Sequence, residues 1–412
     1  LPVFIFRIYK YIGRKIEMGY LSNVKKQYWI SFFNALIPAY VIERLFWQER
    51  GLGVQAVVYC EIIYALTVTV LEIPSGMMAD IFGRKKLLSV CKVIDVLEFV
   101  LLLFAHGFFQ FAFIVFLSGV GKALSSGSAN ALLYDSLLNA GRQDDFEKHA
   151  GRISAIDFFG SLIAALSGSI LASFFNYEFN YVLSALSMCA AFIFTLSLKE
   201  PPMITKPESE LSGAAQYVKE AVRVFKSQPL VLIYCLSGAF LGACVIYLDE
   251  FWQLILESIG VPVVFFGVVG ALEMSLRIPG NLLAYKLKEK VSYKSILGSF
   301  ILVNAIGYIA IFFTRNLLCL IPIILISLLS GIIDPLISGY LHHRTESRIR
   351  ATVESFSSLG LRTISIVIGL LFGIISSAYS LFTGFLMLGI ICLLYLLLFK
   401  VIIGNRREES NA

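Results

Sequence analysis

Charge is scarce in this 412-residue chain: Asp, Glu, Lys and Arg together make up 15%, against about 25% in an average soluble protein. Apolar residues fill the gap, at 58% against roughly 45–50%, and mean hydropathy is +0.81. A water-soluble chain of this composition would expose apolar patches larger than a monomer tolerates, so most of its surface must face lipid. A soluble enzyme, a disordered chain and a disulfide scaffold are excluded together. The net charge of +6 has no water-facing domain on which a basic stripe could read nucleic acid. A phosphate-cradling Gly-x-x-x-x-Gly-Lys-Ser/Thr loop is also missing. Gly119-Val120-Gly121-Lys122 has the wrong spacing and lies in an apolar run, so ATP does not drive this chain. All seven cysteines fall in or beside apolar runs, which suits small-hydrophobe packing and suits neither disulfides nor a metal site. The four histidines, His106, His149, His342 and His343, sit at or beyond the ends of those runs and make poor deep proton relays. Residues 1–12 are apolar but interrupted by Arg7 and Lys10, too short to span and without a cleavage-site pattern. Translation beginning at Met18 would leave Gly19 to Lys26 as a short inner leader.

What the chain has is length in its apolar runs. A spanning helix needs about 20 apolar residues, and twelve runs qualify: 27–47, 55–77, 87–105, 110–136, 153–175, 178–198, 230–252, 263–285, 295–313, 318–341, 351–376 and 379–400. Barrel strands would alternate apolar and polar residues, which the run from Phe300 to Phe313 does not do. With both ends inside, 27 of the 34 Lys and Arg fall on the inner side and two, Arg50 and Arg315, on the outer side. Five lie within spans: Arg44, Lys92, Lys122, Arg277 and Arg362. The positive-inside rule therefore predicts an even number of spans with cytoplasmic termini. The expected order is a leader over 1–26, six spans over 27–198, a linker with a surface helix over 199–229, six more spans over 230–400, and a tail over 401–412.

The halves repeat. Phe46-Trp47-Gln48 recurs as Phe251-Trp252-Gln253, and Leu71-Glu72-Ile73-Pro74 as Leu276-Arg277-Ile278-Pro279, both at an offset of 205 residues. Ser126-Gly127 and Ser330-Gly331 agree at 204. Parallel repeats of this kind place a binding cavity at their interface and rock one half against the other.

The loop Gly76-Met77-Met78-Ala79-Asp80-Ile81-Phe82-Gly83-Arg84-Lys85-Lys86, between spans 2 and 3, closely resembles the signature loop of the major facilitator superfamily. Gly76 permits close helix packing, Asp80 offers a carboxylate to a neighbouring helix N-terminus, and Gly83 permits a tight turn before the basic cluster Arg84, Lys85 and Lys86. The resemblance covers essentially the whole chain. It implies an all-α membrane protein of twelve spans in two six-helix halves, and a loop that latches the outward-facing state. The second copy departs from the pattern, with Asn281 for the Gly and Tyr285 for the Asp. Span 4 has Val115 where many relatives have Arg four residues before Gly119. Span 5 carries Gly160, Ala164 and Gly168 but lacks the Gly-Pro pair of many drug-proton antiporters. The run from Ile37 to Gly51 resembles bacterial efflux permeases.

Coupling to an ion gradient calls for acids inside the membrane, where each charge costs about 2.5–3.5 kcal/mol. Twelve lie within spans: Glu43, Glu61, Glu72, Asp95, Glu98, Asp135, Asp157, Asp249, Glu250, Glu273, Asp334 and Glu354. Six of them, Glu43, Asp135, Asp157, Asp249, Glu250 and Glu354, lie near span ends, where hydration explains them. Lys92, Asp95 and Glu98 read as a structural network extending to Lys122. Glu273 and Asp334 are the proton-coupling candidates, since a desolvated carboxyl is a group that a gradient can load and unload. Glu72 and Arg277 are repeat-equivalent and opposite in sign, and the resemblance places spans 2 and 8 against spans 11 and 5. The expectation is an inner gate in which Glu72 pairs with Arg362 and Arg277 with Asp157 or Glu354; pairing within each half is the alternative. Aromatic residues on the cavity-lining spans, Phe32, Phe33, Tyr40, Tyr64, Phe240, Tyr247 and Phe356, suit an amphipathic or cationic solute, although aromatics also face lipid.

The chain is therefore expected to act as a monomeric secondary transporter in a bacterial inner membrane, working without a cofactor and exchanging protons for an amphipathic small molecule. A proton-coupled nutrient importer, a transporter-like sensor and a lipid translocase are the alternatives. For the gate, the double variant Glu72→Arg with Arg362→Glu should restore transport lost in either single variant. Absence of rescue in a transport assay counts against that pair.

Overall fold

The computed structural model describes residues 20–126, 128–202, 225, 227, 229–344 and 350–404. The proposed start at Met18, the linker helix over 208–228 apart from residues 225 and 227, Gly127 and the end of the tail lie outside them. Every regular element among the described residues is helical. In chain order these are α1 (20–35), a 3-10 turn (Pro38–Ile42), α2 (Glu43–Glu49), α3 (Val54–Phe82), α4 (Arg84–Leu102), α5 (Gly107–Ser126), α6 (Ser128–Asn139), α7 (Phe146–Phe174) and α8 (Tyr177–Leu196). The series continues with α9 (Pro229–Ser258), α10 (Phe266–Lys290), α11 (Tyr293–Thr314), α12 (Leu320–Arg344), α13 (Arg350–Ala378) and α14 (Leu381–Gly404).

This is the all-α, twelve-span arrangement expected from the sequence. Among the described residues, ten of the spans are long and apolar enough to cross a membrane by length and composition. The other two differ for physical reasons. In α4 the charges Lys92, Asp95 and Glu98 dilute the apolar run, and the first span is broken between α1 and α2. The break lies at Pro38, which has no N–H and cannot continue a helix.

The chain forms two compact units. One takes the chain as far as Gly51 together with Tyr59–Lys206 and Val263–Val268; the other takes Leu52–Val58, Pro207–Pro262 and the chain from Val269 onward. The repeat shows within each. Phe46 and Phe251 are both fully buried, and Pro74 and Pro279 both lie inside helices. The helix α4 packs extensively against α8, and its counterpart α11 against α14.

In the first unit, α8 repairs the break. The Asn180 side chain donates to the Pro38 carbonyl at 3.3 Å and to the Gly168 carbonyl at 2.9 Å, while the Ala39 N–H donates to Ser184 Oγ at 3.1 Å. Backbone groups at a helix break have no water to turn to in hydrocarbon, and one left unpaired costs several kcal/mol. The helix α7 approaches closely enough that a Cβ on Gly168 would stand 2.4 Å from the Pro38 oxygen. The small residues read from span 5 thus serve backbone contact.

In the second unit, α10 and α12 meet backbone to backbone. A Cβ on Gly280 would lie 2.5 Å from the Leu328 oxygen, and one on Gly331 would lie 2.4 Å from the Arg277 oxygen. On α9, the Tyr247 hydroxyl donates to the Ser365 carbonyl at 2.6 Å and fills the space beside Gly369, where a Cβ would be 1.9 Å away.

Asn180→Leu should remove the two hydrogen bonds that tie α8 to Pro38 and to Gly168 and cost about 1–3 kcal/mol. Gly168→Val should cost about 1–3 kcal/mol by overpacking. Both would appear as lowered thermal midpoints of the purified protein in detergent; an unchanged midpoint in Asn180→Leu would remove the repair role.

Candidate functional site

Three polar clusters stand out, two in the first unit and one in the second. The first surrounds the signature loop. Gly83 has φ 98°, a left-handed backbone that glycine adopts without strain, and it turns the chain into α4. Arg84 donates to the Ala131 carbonyl at 2.7 Å and forms an ion pair with Asp135, so Asp135 has a partner beyond the hydration expected of it. The carboxylate at the start of α4 comes from Glu200, which accepts from the Lys85 N–H at 3.0 Å. Sequence reasoning missed Glu200, which lies in the linker. The pairing suits the positive end of a helix dipole. Gly76 and Asp80 lie on α3, but their side-chain surroundings are outside the described residues, and Lys86 is exposed. Close by, burial and then the charges of Lys199 and Lys85 hold the Lys26 amine below its ordinary value.

The second cluster joins both parts of the broken first span to α3 and α4. Arg44 is 4% exposed and pairs with Glu61 at 2.6 Å and Glu43 at 3.9 Å, with its guanidinium 4.5 Å from the Trp47 ring. Lys92 donates to Asp95 at 2.5 Å and to Asn34 at 2.6 Å; Lys122 is exposed. Glu98 accepts from the Ser118 hydroxyl. The Tyr40 ring is half exposed, while its hydroxyl lies in the field of Glu98, Glu43 and Asp95, with Tyr64 nearby.

The third cluster belongs to the second unit. Arg277 on α10 donates to Asp249 on α9 at 2.5 Å. Arg277 therefore has a partner in its own half, the arrangement weighed as the alternative to a gate pairing with Asp157 or Glu354. Asp157 accepts instead from the Ser31 hydroxyl, and the Glu354 side chain is outside the described residues. Asp249 was read as lying near a span end, but α9 runs on to Ser258, about 13 Å further at helical rise. Asp249 and Arg277 line a cavity of about 260 Å³ together with Asn281, Ser330, Gly242 and Leu361.

Glu273, one turn before Arg277 on α10, is 6% exposed, and its Oε1 has no hydrogen-bond partner. It lies in the field of Asp249 and Arg277, with the Ser327 hydroxyl beside it. The Tyr308 hydroxyl is buried in the field of Asp249, near Cys244 and Cys392. Asp334, the other proton candidate, is outside the described side chains, while Glu72 is exposed and Arg362 half-buried.

The predicted cavity aromatics divide. Phe240 is buried and stacks on Tyr395 at 4.1 Å, and Tyr247 is buried against Phe372, so both pack the second unit instead of lining open space. Phe33 lies among Trp29, Phe32 and Phe194, and Phe356 meets Phe225.

The sequence profile described as Major Facilitator Superfamily matches residues 28–262. A protein of Bacillus subtilis (strain 168) described as the uncharacterized MFS-type transporter YxaM is 22% identical over 343 residues, covering 81% of this chain and 84% of that protein. Among solved structures, the nucleoside transporter NupG superposes with a TM-score of 0.72 at 14% identity, covering 95% of this chain and 100% of that one. A bacterial homologue of the human lysosomal transporter Spinster, inward-facing and unoccupied, gives 0.69 at 18% identity, covering 96% and 99%. A D-xylose-proton symporter gives 0.67 at 12% identity, covering 92% and 96%. This chain, with its signature loop, its two repeats and its profile match over more than half its length, belongs to the Major Facilitator Superfamily and is a multi-pass membrane transporter, not an enzyme.

Proposed function

We infer that this transporter exchanges protons for amphipathic, cationic small molecules, exporting them across a bacterial cytoplasmic membrane with both termini inside. The observation that carries this reading is the acid-rich site of the second unit, where Asp249 lines a cavity and Glu273 lies buried beside it with an unpartnered oxygen. A carboxylate facing a cavity attracts a cation, and a desolvated carboxyl is the group that a pH gradient can load and unload. In the first unit, the half-exposed Tyr40 ring beside Glu43 and Glu98 supplies aromatic and anionic contacts of the kind that hold organic cations. Protonation and solute binding at such sites bias a two-state rocking equilibrium only through their differential affinity for the two states. Asp334 remains the second proton candidate. The latch residues Gly76, Asp80, Gly83, Arg84, Lys85 and Lys86 would hold one of the two states. Import of a small polar nutrient is the competing reading, favoured by the missing Gly-Pro pair of span 5.

The test is reconstitution into liposomes with an imposed pH gradient and a panel of ethidium, tetraphenylphosphonium, uridine, xylose and fluorescent lipid. Ethidium and tetraphenylphosphonium should accumulate against their gradients only when the pH gradient is present. Glu273→Gln should abolish that accumulation while sparing downhill movement. Gradient-driven movement of uridine or xylose alone would favour the importer, and gradient-independent lipid movement would defeat both readings.

A further inference from the structure

The second unit places one cation between two carboxyl groups that differ in access. Asp249 lines the cavity, and its side chain is 34% exposed. Glu273 is shut away at 6% exposure with Oε1 unpartnered. Arg277 currently donates to Asp249, yet it stands four residues after Glu273 on α10. That spacing brings the two side chains onto one face about 5–6 Å apart at Cβ, with the acid N-terminal to the base, the favourable order. Long helical side chains also lean toward the helix N-terminus, which puts the turn that carries Glu273 within the reach of the guanidinium, and its charge already acts on that carboxyl.

Other groups around the pair are Glu250 beside Asp249, Ser327 of α12 beside Glu273, and Tyr308, which lies in the field of Asp249 with Cys244 and Cys392. The positive charge acting on both carboxyl groups is that of Arg277.

We propose that Arg277 is the coupling element of this transporter, moving from Asp249 to Glu273 when a cationic substrate takes Asp249, and that the arrival of the guanidinium expels the Glu273 proton. The exchange balances. Before binding there are an Arg277–Asp249 ion pair, a neutral Glu273 carboxyl and a cation in solution. Afterwards there are a substrate–Asp249 ion pair, an Arg277–Glu273 ion pair and a proton in solution. No bond other than the Glu273 O–H is broken. Asp249 thus binds substrate, Glu273 carries the proton, and Arg277 transmits occupancy of one to the other. The cavity admits a cation to Asp249, whereas the burial of Glu273 keeps the same cation from bypassing the exchange. This proposal rests on the reading of the chain as a proton-coupled transporter of cations.

The test uses the full chain in detergent with ethidium as the probe, following ethidium fluorescence and, in weakly buffered solution, a pH indicator. Wild type should release about one proton per ethidium bound, the linkage expected when one group changes ionisation. Glu273→Gln should bind ethidium with release reduced to near zero. Asp249→Asn should bind it about tenfold more weakly or worse, as expected on removing a close charge partner. Infrared difference spectra of the wild type need no variant and should show loss of a carboxylic-acid carbonyl signal on binding.

Persistence of that infrared signal, ethidium binding by wild type without proton release, or undiminished release from Glu273→Gln would each overturn the exchange while leaving cation transport standing. Failure of wild type both to bind ethidium and to move it under a pH gradient would overturn the cation reading, and the exchange with it.

Discussion

A polar group placed in hydrocarbon has no water to turn to and is stabilised by finding a partner within the chain. The effect is plainest where the first span breaks at Pro38. The amide of Asn180 and the hydroxyl of Ser184 reach across from α8 to take up the backbone groups that the proline has released. The same constraint governs side chains. Arg44, Lys92 and Arg277 each hold a carboxylate within 2.6 Å, because an ion left alone at that depth costs far more than a paired one. With charge so scarce, these contacts decide which helices must stay together, and they leave Glu273 conspicuous as a buried carboxyl with one oxygen unmatched.

The two units solve this problem with opposite polarity. The offset of 205 residues that relates Glu72 to Arg277 also relates Arg44 to Asp249. Each half therefore carries one acid and one base at equivalent places, with the signs exchanged. In the second unit the two meet directly; in the first, Arg44 takes Glu61 from α3. The halves therefore share a scaffold while the charges at these equivalent places are exchanged.

Most of the architecture was legible because its signals are long. Twelve apolar runs, a basic bias on one side and a recurring Phe-Trp-Gln are spread over many residues and tolerate local error. The site was less legible because it depends on single contacts. Asp249 looked like a residue near the end of a span, since the hydropathy falls at Asp249-Glu250, yet α9 continues through Trp252 to Ser258 on apolar packing. The relation between Arg44 and Asp249 was available in the sequence as a second sign reversal at the known offset, and would have pointed to a partner within the half. Phe240 and Tyr247 could not be assigned from composition, because an aromatic facing a cavity and one facing a neighbouring helix look alike until the helix is rotated into place. Glu200 carried no signal at all: a lone acid after the sixth span becomes meaningful only once the chain returns to the start of α4.

The contact between Tyr247 and Gly369 constrains how sequences like this one can diverge. The phenol occupies the volume that any side chain at 369 would need, and its hydroxyl is spent on the Ser365 carbonyl one turn away. Replacing the tyrosine by phenylalanine would remove that hydrogen bond without making room, since the nearest ring carbon itself stands 2.6 Å from the Cβ position. Only a small residue at 247 would release the glycine. The constraint runs one way: a relative with a side chain at 369 should also have lost the tyrosine at 247, whereas the glycine can outlast it.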